Sequence, residues 1–157
     1  AHAIKLEGAK GNLDLITHIV DSGIPVMGHI GLTPQAVNSL GGYKVQGKLD
    51  QDKLRIFQEA KALEKAGCFA IVLECVPNEL AEKITKETDI ITVGIGAGNK
   101  VDGQVLVIND MLGMSSDFKP KFVRQYLNAE NLFLQAFNAF NNDVKTNTFP
   151  SRNESYQ

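Results

Sequence analysis

The sequence predicts an α/β fold built around a parallel sheet, and three features indicate this class. Short apolar runs rich in Val and Ile alternate with amphipathic segments from the first residue onward. The runs are continuously hydrophobic, which is typical of strands covered on both faces, as in parallel sheets. No hairpin turn signal separates them, so helical crossovers in a barrel or a doubly wound sheet are expected.

Five buried strands are predicted, at Ala3 to Leu6, Ile24 to Met27, Phe69 to Leu73, Ile90 to Ile95 and Gln104 to Ile108. Apolar residues at helical spacing predict a first crossover helix that ends before Gly23 and a second that ends before Gly67. A shorter third helix is predicted to open at Pro77. The elements therefore alternate as βαβαβαβ before the fifth strand.

The C-terminal part of the chain differs in character. Residues 117–145 hold most of the aromatic side chains and predict about two helices, which either pack within the fold or lie on a neighbouring subunit. We expect one domain over residues 1–145 and a flexible polar tail over residues 146–157.

Composition excludes several classes of function. The chain of 157 residues is 43% hydrophobic and 22% charged, which is typical of a soluble globular domain. Its net charge is -2 without a basic block, so nucleic acid is not an expected partner. No apolar run reaches the ~20 residues of a membrane span, and no signal peptide is recognisable, so a cytoplasmic protein without a membrane partner is expected. Cys68 and Cys75 lack metal-ligand spacing and are expected to be buried, reduced thiols.

Polar residues that could do chemistry follow the predicted strands. Lys5 and Glu7 stand two apart at the end of the first strand, so they point to the same side. His29 ends the second strand, and Glu74 ends the third directly after three aliphatic residues. The carboxyl ends of parallel strands are where sites form, and a carboxylate in such a place is costly unless it is paired, metal-bound or functional.

Each of these residues also has a purely structural interpretation. Lys5 and Glu7 could form an ion pair, His29 could satisfy nearby backbone groups, and Glu74 could cap the following helix. The glycines of residues 94–98 favour a tight loop over phosphate binding, because the dinucleotide fingerprint is incomplete. Asp102 and Asp110 are possible metal ligands by residue type, but a turn and a loop are the more economical interpretation.

At these residues the sequence resembles the ketopantoate hydroxymethyltransferase family. Six blocks match in family order over about the first 120 residues. They are KLEG at 5–8, GIPVMGHIGLTPQ at 23–35, GGYKVQGK at 41–48, ALEKAGCFAIVLECVP at 62–77, VGIGAG at 93–98 and DGQVLVINDMLG at 102–113.

The resemblance implies a (β/α)8 TIM barrel of the phosphoenolpyruvate/pyruvate-like superfamily, of which this chain would hold about the last five βα units and the C-terminal helices. It implies an enzyme of pantothenate biosynthesis that uses Mg²⁺. Such an enzyme transfers a hydroxymethyl group from 5,10-methylenetetrahydrofolate to 3-methyl-2-oxobutanoate, giving 2-dehydropantoate through an enolate.

The resemblance also implies a role for each matched residue. Glu74 aligns with the catalytic proton acceptor, and Glu7 aligns with a residue of the metal site that acts through coordinated water. Lys5 aligns with the lysine that binds the keto acid. His29 aligns with a histidine at the mouth, where it would hydrogen-bond the substrate or the leaving folate nitrogen.

Two departures from the family pattern matter. Ala9 stands where the family usually has glycine, and the first three strands, which carry an Asp-Ser pair and a further Asp, have no counterpart here. We therefore expect a fragment of a longer product or half of a split enzyme, with the missing N-terminal strands on another chain. The resemblance implies a homo-oligomer, a decamer in the family. Two alternatives are an inactive fragment that serves as an assembly piece and a related magnesium-dependent keto-acid lyase.

Overall fold

The computed structural model describes residues 1–38, 41–114 and 119–156. The chain divides into two compact units, Ala1–Val105 and Leu106–Gln157. The boundary expected at residue 145, and the flexibility expected of the tail beyond it, stay predictions. None of the helices in the described ranges combines the length and apolar character needed to span a bilayer.

The first unit is a five-stranded sheet with helices between its strands. Its strands lie in chain order and every neighbouring pair is parallel, which confirms the predicted α/β class. The elements are β1 (Ile4–Glu7), α1 (Leu13–Asp21), β2 (Val26–Gly31), α2 (Asp50–Lys65), β3 (Ala70–Glu74), α3 (Asn78–Glu87), β4 (Ile91–Ile95) and β5 (Gly103–Gln104).

Three strands differ in length from the prediction. β4 begins at Ile91, one residue later than the predicted Ile90. β2 continues to Gly31 instead of ending at Met27, because its last residues pair with β3 although they do not form an aliphatic run. β5 holds only Gly103 and Gln104, so the prediction of a strand up to Ile108 was wrong beyond Gln104. Ile108 begins a helix instead.

The helices pack on one face of the sheet. Val26 and Ile30 of β2 belong to the same buried cluster as Ile56 and Leu63 of α2, and each is at most 1% exposed. Between them in β2, Gly28 lies so close to the Leu63 side chain that a Cβ would come within 2.8 Å of it. Each fully buried aliphatic side chain contributes roughly 1.5–3 kcal/mol, so this layer is a main source of stability.

The predicted helix ends are confirmed at both glycines. α1 ends at Asp21 and α2 ends at Lys65, and Gly23 and Gly67 follow with φ of +85° and +92°. Gly67 is constrained further, because a Cβ there would lie 2.9 Å from Val20. These turns return the chain to the next strand.

The described residues of the second unit form two α-helices, α4 (Ile108–Leu112) and α5 (Ala129–Lys145). Asn128 caps α5 by accepting a hydrogen bond from the Asn131 N–H. One helix, rather than about two, lies within the described part of the segment predicted to be helical; residues 117 and 118 lie outside the described ranges. A short 3-10 helix, Arg152–Glu154, lies in the predicted tail.

Candidate active site

Strand register brings the four predicted site residues to one face of the sheet. Glu7 of β1 pairs with His29 of β2, and His29 pairs with Val72 of β3. Paired residues of neighbouring strands point the same way and alternate faces along each strand. Lys5, Glu7, His29 and Glu74 therefore share a face, opposite to the one that α2 covers.

The four side chains are in contact. Lys5 Nζ lies 3.0 Å from His29 Nδ1 and 3.4 Å from Glu7 Oε1. On the other side of the ring, His29 Nε2 lies 3.1 Å from Glu74 Oε2. The alignment of these two groups does not complete a hydrogen bond, and within the described residues Nε2 is a buried nitrogen without one.

Burial differs sharply across this cluster. The His29 side chain is 3% exposed, those of Glu7 and Glu74 are 16% and 17% exposed, and that of Lys5 is 42% exposed. The ion pair between Lys5 and Glu7 is thus present, but a pair this exposed contributes at most about 1 kcal/mol to folding. A ligand approaching this face would meet Lys5 and the two carboxylates before the imidazole.

Backbone contacts hold the loop after β1 in place. The Gly8 N–H donates to the His29 carbonyl at 2.8 Å. The Asn12 side-chain amide donates to the carbonyls of Glu7 and Gly8 at 3.0 Å and 3.1 Å. Glu7 itself accepts a hydrogen bond at Oε2 from the Gln35 N–H at 3.2 Å. Asn12 and Gln35 were not among the predicted site residues; the position of Asn12 just before a predicted helix was the only signal in the sequence.

The end of β3 fixes the orientation of Glu74. The Glu74 carbonyl accepts a hydrogen bond from the Leu32 N–H at 2.8 Å, and the next residue, Cys75, has a φ of +50°. This conformation is unfavourable for a residue with a Cβ and is often found at functional sites. The alternative role of Glu74 as a helix cap is not observed, since α3 begins after Pro77 without a side-chain cap.

The remaining polar candidates lie in structural positions and are not among the four clustered side chains. Asp102 Oδ2 accepts hydrogen bonds from the Thr92 N–H and hydroxyl at 2.8 Å and 2.9 Å, which joins β4 to the turn before β5. Asp110 lies inside α4, so the expectation of a loop was wrong there. Gly98 packs directly against the Asn78 side chain, in agreement with the tight-loop interpretation.

Both cysteines are free and buried, as expected. Desolvation by burial raises the pKa of the Cys68 and Cys75 thiols. The neighbouring Glu74 carboxylate raises the pKa of Cys75 further, because it disfavours a second negative charge nearby.

Comparison with known proteins identifies the family. The family model described as ketopantoate hydroxymethyltransferase matches residues 1–152. The chain belongs to the ketopantoate hydroxymethyltransferase family.

Curated relatives agree with this family, and all three named here are 3-methyl-2-oxobutanoate hydroxymethyltransferases. The protein from Francisella tularensis strain FSC 198 is 58% identical over 156 residues, which cover 99% of this chain and 59% of the relative. The proteins from Bdellovibrio bacteriovorus and Legionella pneumophila are 57% and 52% identical, over 99% of this chain and 59% and 60% of their own lengths. The chain thus spans about three fifths of the relatives it matches.

The described residues of this ketopantoate hydroxymethyltransferase family member do not hold a complete metal site. No group of three His, Cys, Asp or Glu side chains in ranges 1–38, 41–114 and 119–156 could bind an ion together. Both oxygens of Glu7 already face protein donors, Lys5 on one side and the Gln35 N–H on the other. Magnesium usually keeps several waters and takes one or two carboxylates, so Glu7 could supply at most part of its shell.

Proposed function

We propose that this chain forms the catalytic-base side of a 3-methyl-2-oxobutanoate hydroxymethyltransferase. The Glu74 carboxylate carries the proposal. Glu74 is the last residue of a buried strand, its side chain is 17% exposed, and it lies beside a buried imidazole. A half-exposed Lys5 amine lies on the far side of that ring. The relatives' names supply the substrate, and family membership supports extending it to this chain.

Proton removal from the keto acid is the step that these residues can perform. Lys5 would bind the substrate carboxylate as a point charge, which orients the molecule on this face. Glu74 would take the proton from C3, and the electrons of that bond would form an enolate. Water would release the one-carbon unit of 5,10-methylenetetrahydrofolate as formaldehyde, leaving tetrahydrofolate. The C3 carbon would then add to the formaldehyde carbonyl, and the resulting alkoxide would take the proton back from Glu74 to give 2-dehydropantoate.

A role for Mg²⁺ belongs to the same proposal, but this chain does not provide its site alone. Glu7 is the carboxylate that this chain would contribute, through coordinated water. When bound, the ion would supply positive charge next to the developing oxyanion. The other ligands would come from residues beyond these 157.

A closed (β/α)8 barrel would be completed by additional strands. Among the described residues, β1 and β5 each pair on one side only, and parallel barrels have no free edges. The relatives are longer by about two fifths of their length, which is enough for three further βα units. We propose that these strands belong to a longer protein or to a partner chain, and that the enzyme is cytoplasmic.

Self-association is supported by α5. Its exposed apolar residues Phe133, Phe137, Phe140 and Val144 recur at helical spacing and are 43%, 69%, 55% and 46% exposed. A stripe of this kind is typical of a buried interface. We propose a homo-oligomer, with the family decamer as its size. The same stripe favours the second candidate function, an inactive assembly piece.

The test is an activity assay with Mg²⁺, 5,10-methylenetetrahydrofolate and 3-methyl-2-oxobutanoate. The chain would be assayed alone and with the N-terminal two fifths of the Francisella relative added. We expect 2-dehydropantoate from the mixture, and a loss of about a hundredfold or more in Glu74→Gln. Glu79→Gln, an exposed carboxylate change on α3, is the matched control and should retain activity.

Two results would contradict the proposal. A folded mixture without activity would leave the assembly piece as the better account. A cleaved keto acid in place of 2-dehydropantoate would indicate a lyase.

A further inference from the structure

His29 holds the most unusual polar atom of the cluster. Its side chain is 3% exposed, yet Nε2 lacks a hydrogen bond among the described residues and faces Glu74 Oε2 at 3.1 Å. A buried polar group without a partner is destabilising, so it usually has a functional reason or completes its bond in another state.

The opposite nitrogen determines which ring nitrogen carries the proton. Lys5 Nζ lies 3.0 Å from His29 Nδ1, and an ammonium group can only donate. Nδ1 must therefore accept and cannot carry a proton. Glu7 Oε1, at 3.6 Å from Nδ1, is too far away to compete for that position. The neutral ring then carries its proton on Nε2, directed towards the Glu74 carboxylate.

We propose that His29 is a positioning residue: Lys5 fixes its tautomer, and its Nε2–H orients the Glu74 carboxylate for proton removal. This inference rests on the proposed role of Glu74 as the base. A small rotation of the carboxylate completes the hydrogen bond, because the two atoms are already 3.1 Å apart. The bond would occupy one oxygen of Glu74 and leave the other free for the substrate proton.

A positioning role differs from the role expected for His29 from the family resemblance, which is direct hydrogen bonding to the substrate. The His29 ring is the most buried of the four side chains, and Lys5 and Glu74 lie next to its two nitrogens. Because the side chain is 3% exposed, the keto acid would reach these two residues first. His29 would thus act on the reaction rate through Glu74 rather than on substrate affinity.

The first test needs no activity. The chain has three histidines, so ¹⁵N-detected NMR of the imidazoles gives three ring systems, and the signal lost in His29→Gln identifies His29. We expect the Nε2–H tautomer in the wild type and a mixture of tautomers in Lys5→Met. An Nδ1–H tautomer in the wild type, or no change in Lys5→Met, would overturn the inference.

The second test compares the variants His29→Gln and His29→Asn in the activity assay with the added N-terminal segment. The amide of His29→Gln can place a donor near the former Nε2, whereas the shorter side chain of His29→Asn reaches only the position of Nδ1. We expect kcat to fall about a hundredfold in His29→Asn, with partial rescue in His29→Gln and an unchanged KM for the keto acid. Equal loss in both variants, or a raised KM with unchanged kcat, would contradict positioning.

The two proposals can fail separately. If the wild-type mixture makes no product, the proposed function is wrong whatever tautomer the NMR shows. If the wild type is active but His29→Asn keeps its kcat, the proposed function stands and the positioning role is wrong. Circular dichroism of each variant establishes that the comparison is between folded proteins.

Discussion

Gly31 lies directly against the backbone carbonyl of Glu74, so closely that a Cβ at Gly31 would overlap this oxygen. The same added atom would come within 2.7 Å of the Val76 side chain. Gly31 also has a φ of +92°, which side chains other than that of glycine adopt only with strain. The small residue at the end of β2 thereby allows β3 to hold Glu74 where it is.

Gly31→Ala is expected to destabilise the chain by about 3 kcal/mol and to displace Glu74. Gly23→Ala is the control, because Gly23 has a similar φ of +85° but nothing within 4 Å of an added Cβ. Gly23→Ala should lower the free energy of unfolding only through backbone strain, by about 1 kcal/mol. Urea unfolding measures both changes, and equal losses would show that the contact with Glu74 is unimportant.

Cys75 and Cys68 allow a similar comparison of backbone strain. Both thiols are buried, but only Cys75 has a positive φ, of +50°. Val is β-branched and poorly tolerated in that conformation. We expect Cys75→Val to lower the free energy of unfolding by about 2 kcal/mol more than Cys68→Val. Thermal unfolding followed by circular dichroism would test this, and a larger loss in Cys68→Val would contradict it.

The raised pKa of both thiols predicts how stability depends on pH. The folded state keeps these protons to higher pH than the unfolded chain, whose thiols ionise near pH 8.5. Their contribution is therefore fully present below about pH 8.5 and is lost as the pH rises further. We expect the free energy of unfolding to fall as the pH rises above about 8.5 and this fall to shrink in Cys68→Ala/Cys75→Ala.

The Asp102 carboxylate accepts two hydrogen bonds from Thr92. Thr92 is 0% exposed, and the Asp102 carboxylate accepts from both its N–H and its hydroxyl. Asp102→Ala should cost about 1–3 kcal/mol because it leaves buried donors without this acceptor. Asp89→Ala, at an exposed carboxylate, is the control and should cost less than about 0.5 kcal/mol. A change in magnesium binding without loss of stability would instead favour Asp102 as a metal ligand.

Oligomerisation through α5 predicts a charge-sensitive interface. Phe137 is 69% exposed, and a charge there would have to be buried in an oligomer. We expect Phe137→Glu to lower the mass measured by light scattering, while Gln135→Glu, which adds the same charge two residues away, does not. A mass that is equal in wild type and Phe137→Glu would exclude this surface as an interface.

Sequence pattern predicted the positions of the candidate site residues at the strand ends better than it predicted the extent of the strands. Glu74 was identifiable because a carboxylate after three aliphatic residues marks the end of a buried strand. The true extent of β2 was not identifiable from the sequence. Gly28, His29 and Gly31 lack aliphatic side chains, and they belong to the strand only because they pair with β3. The fifth strand was predicted too long for the opposite reason. Val105 and Val107 have the side chains typical of a strand, yet the strand pairing stops at Gln104.

The sequence pattern could not predict which of the four clustered side chains contact one another. Periodicity placed Lys5 and Glu7 on one side of a strand, but it does not give the register between strands. Only the pairing of Glu7 with His29 and of Gly31 with Glu74 brings the imidazole between amine and carboxylate. The orphaned Nε2 and the strained Cys75 are likewise properties of that arrangement.

The pairing of Glu7 with His29 also links chemistry to folding kinetics. A slip of β2 by one residue against β1 would turn His29 to the face covered by α2 and abolish its contacts with Lys5 and Glu74. The proposed site therefore cannot form during refolding before β1, β2 and β3 have reached their native alignment. If the proposed activity is present, its recovery during refolding would accordingly report the slowest strand pairing among these three.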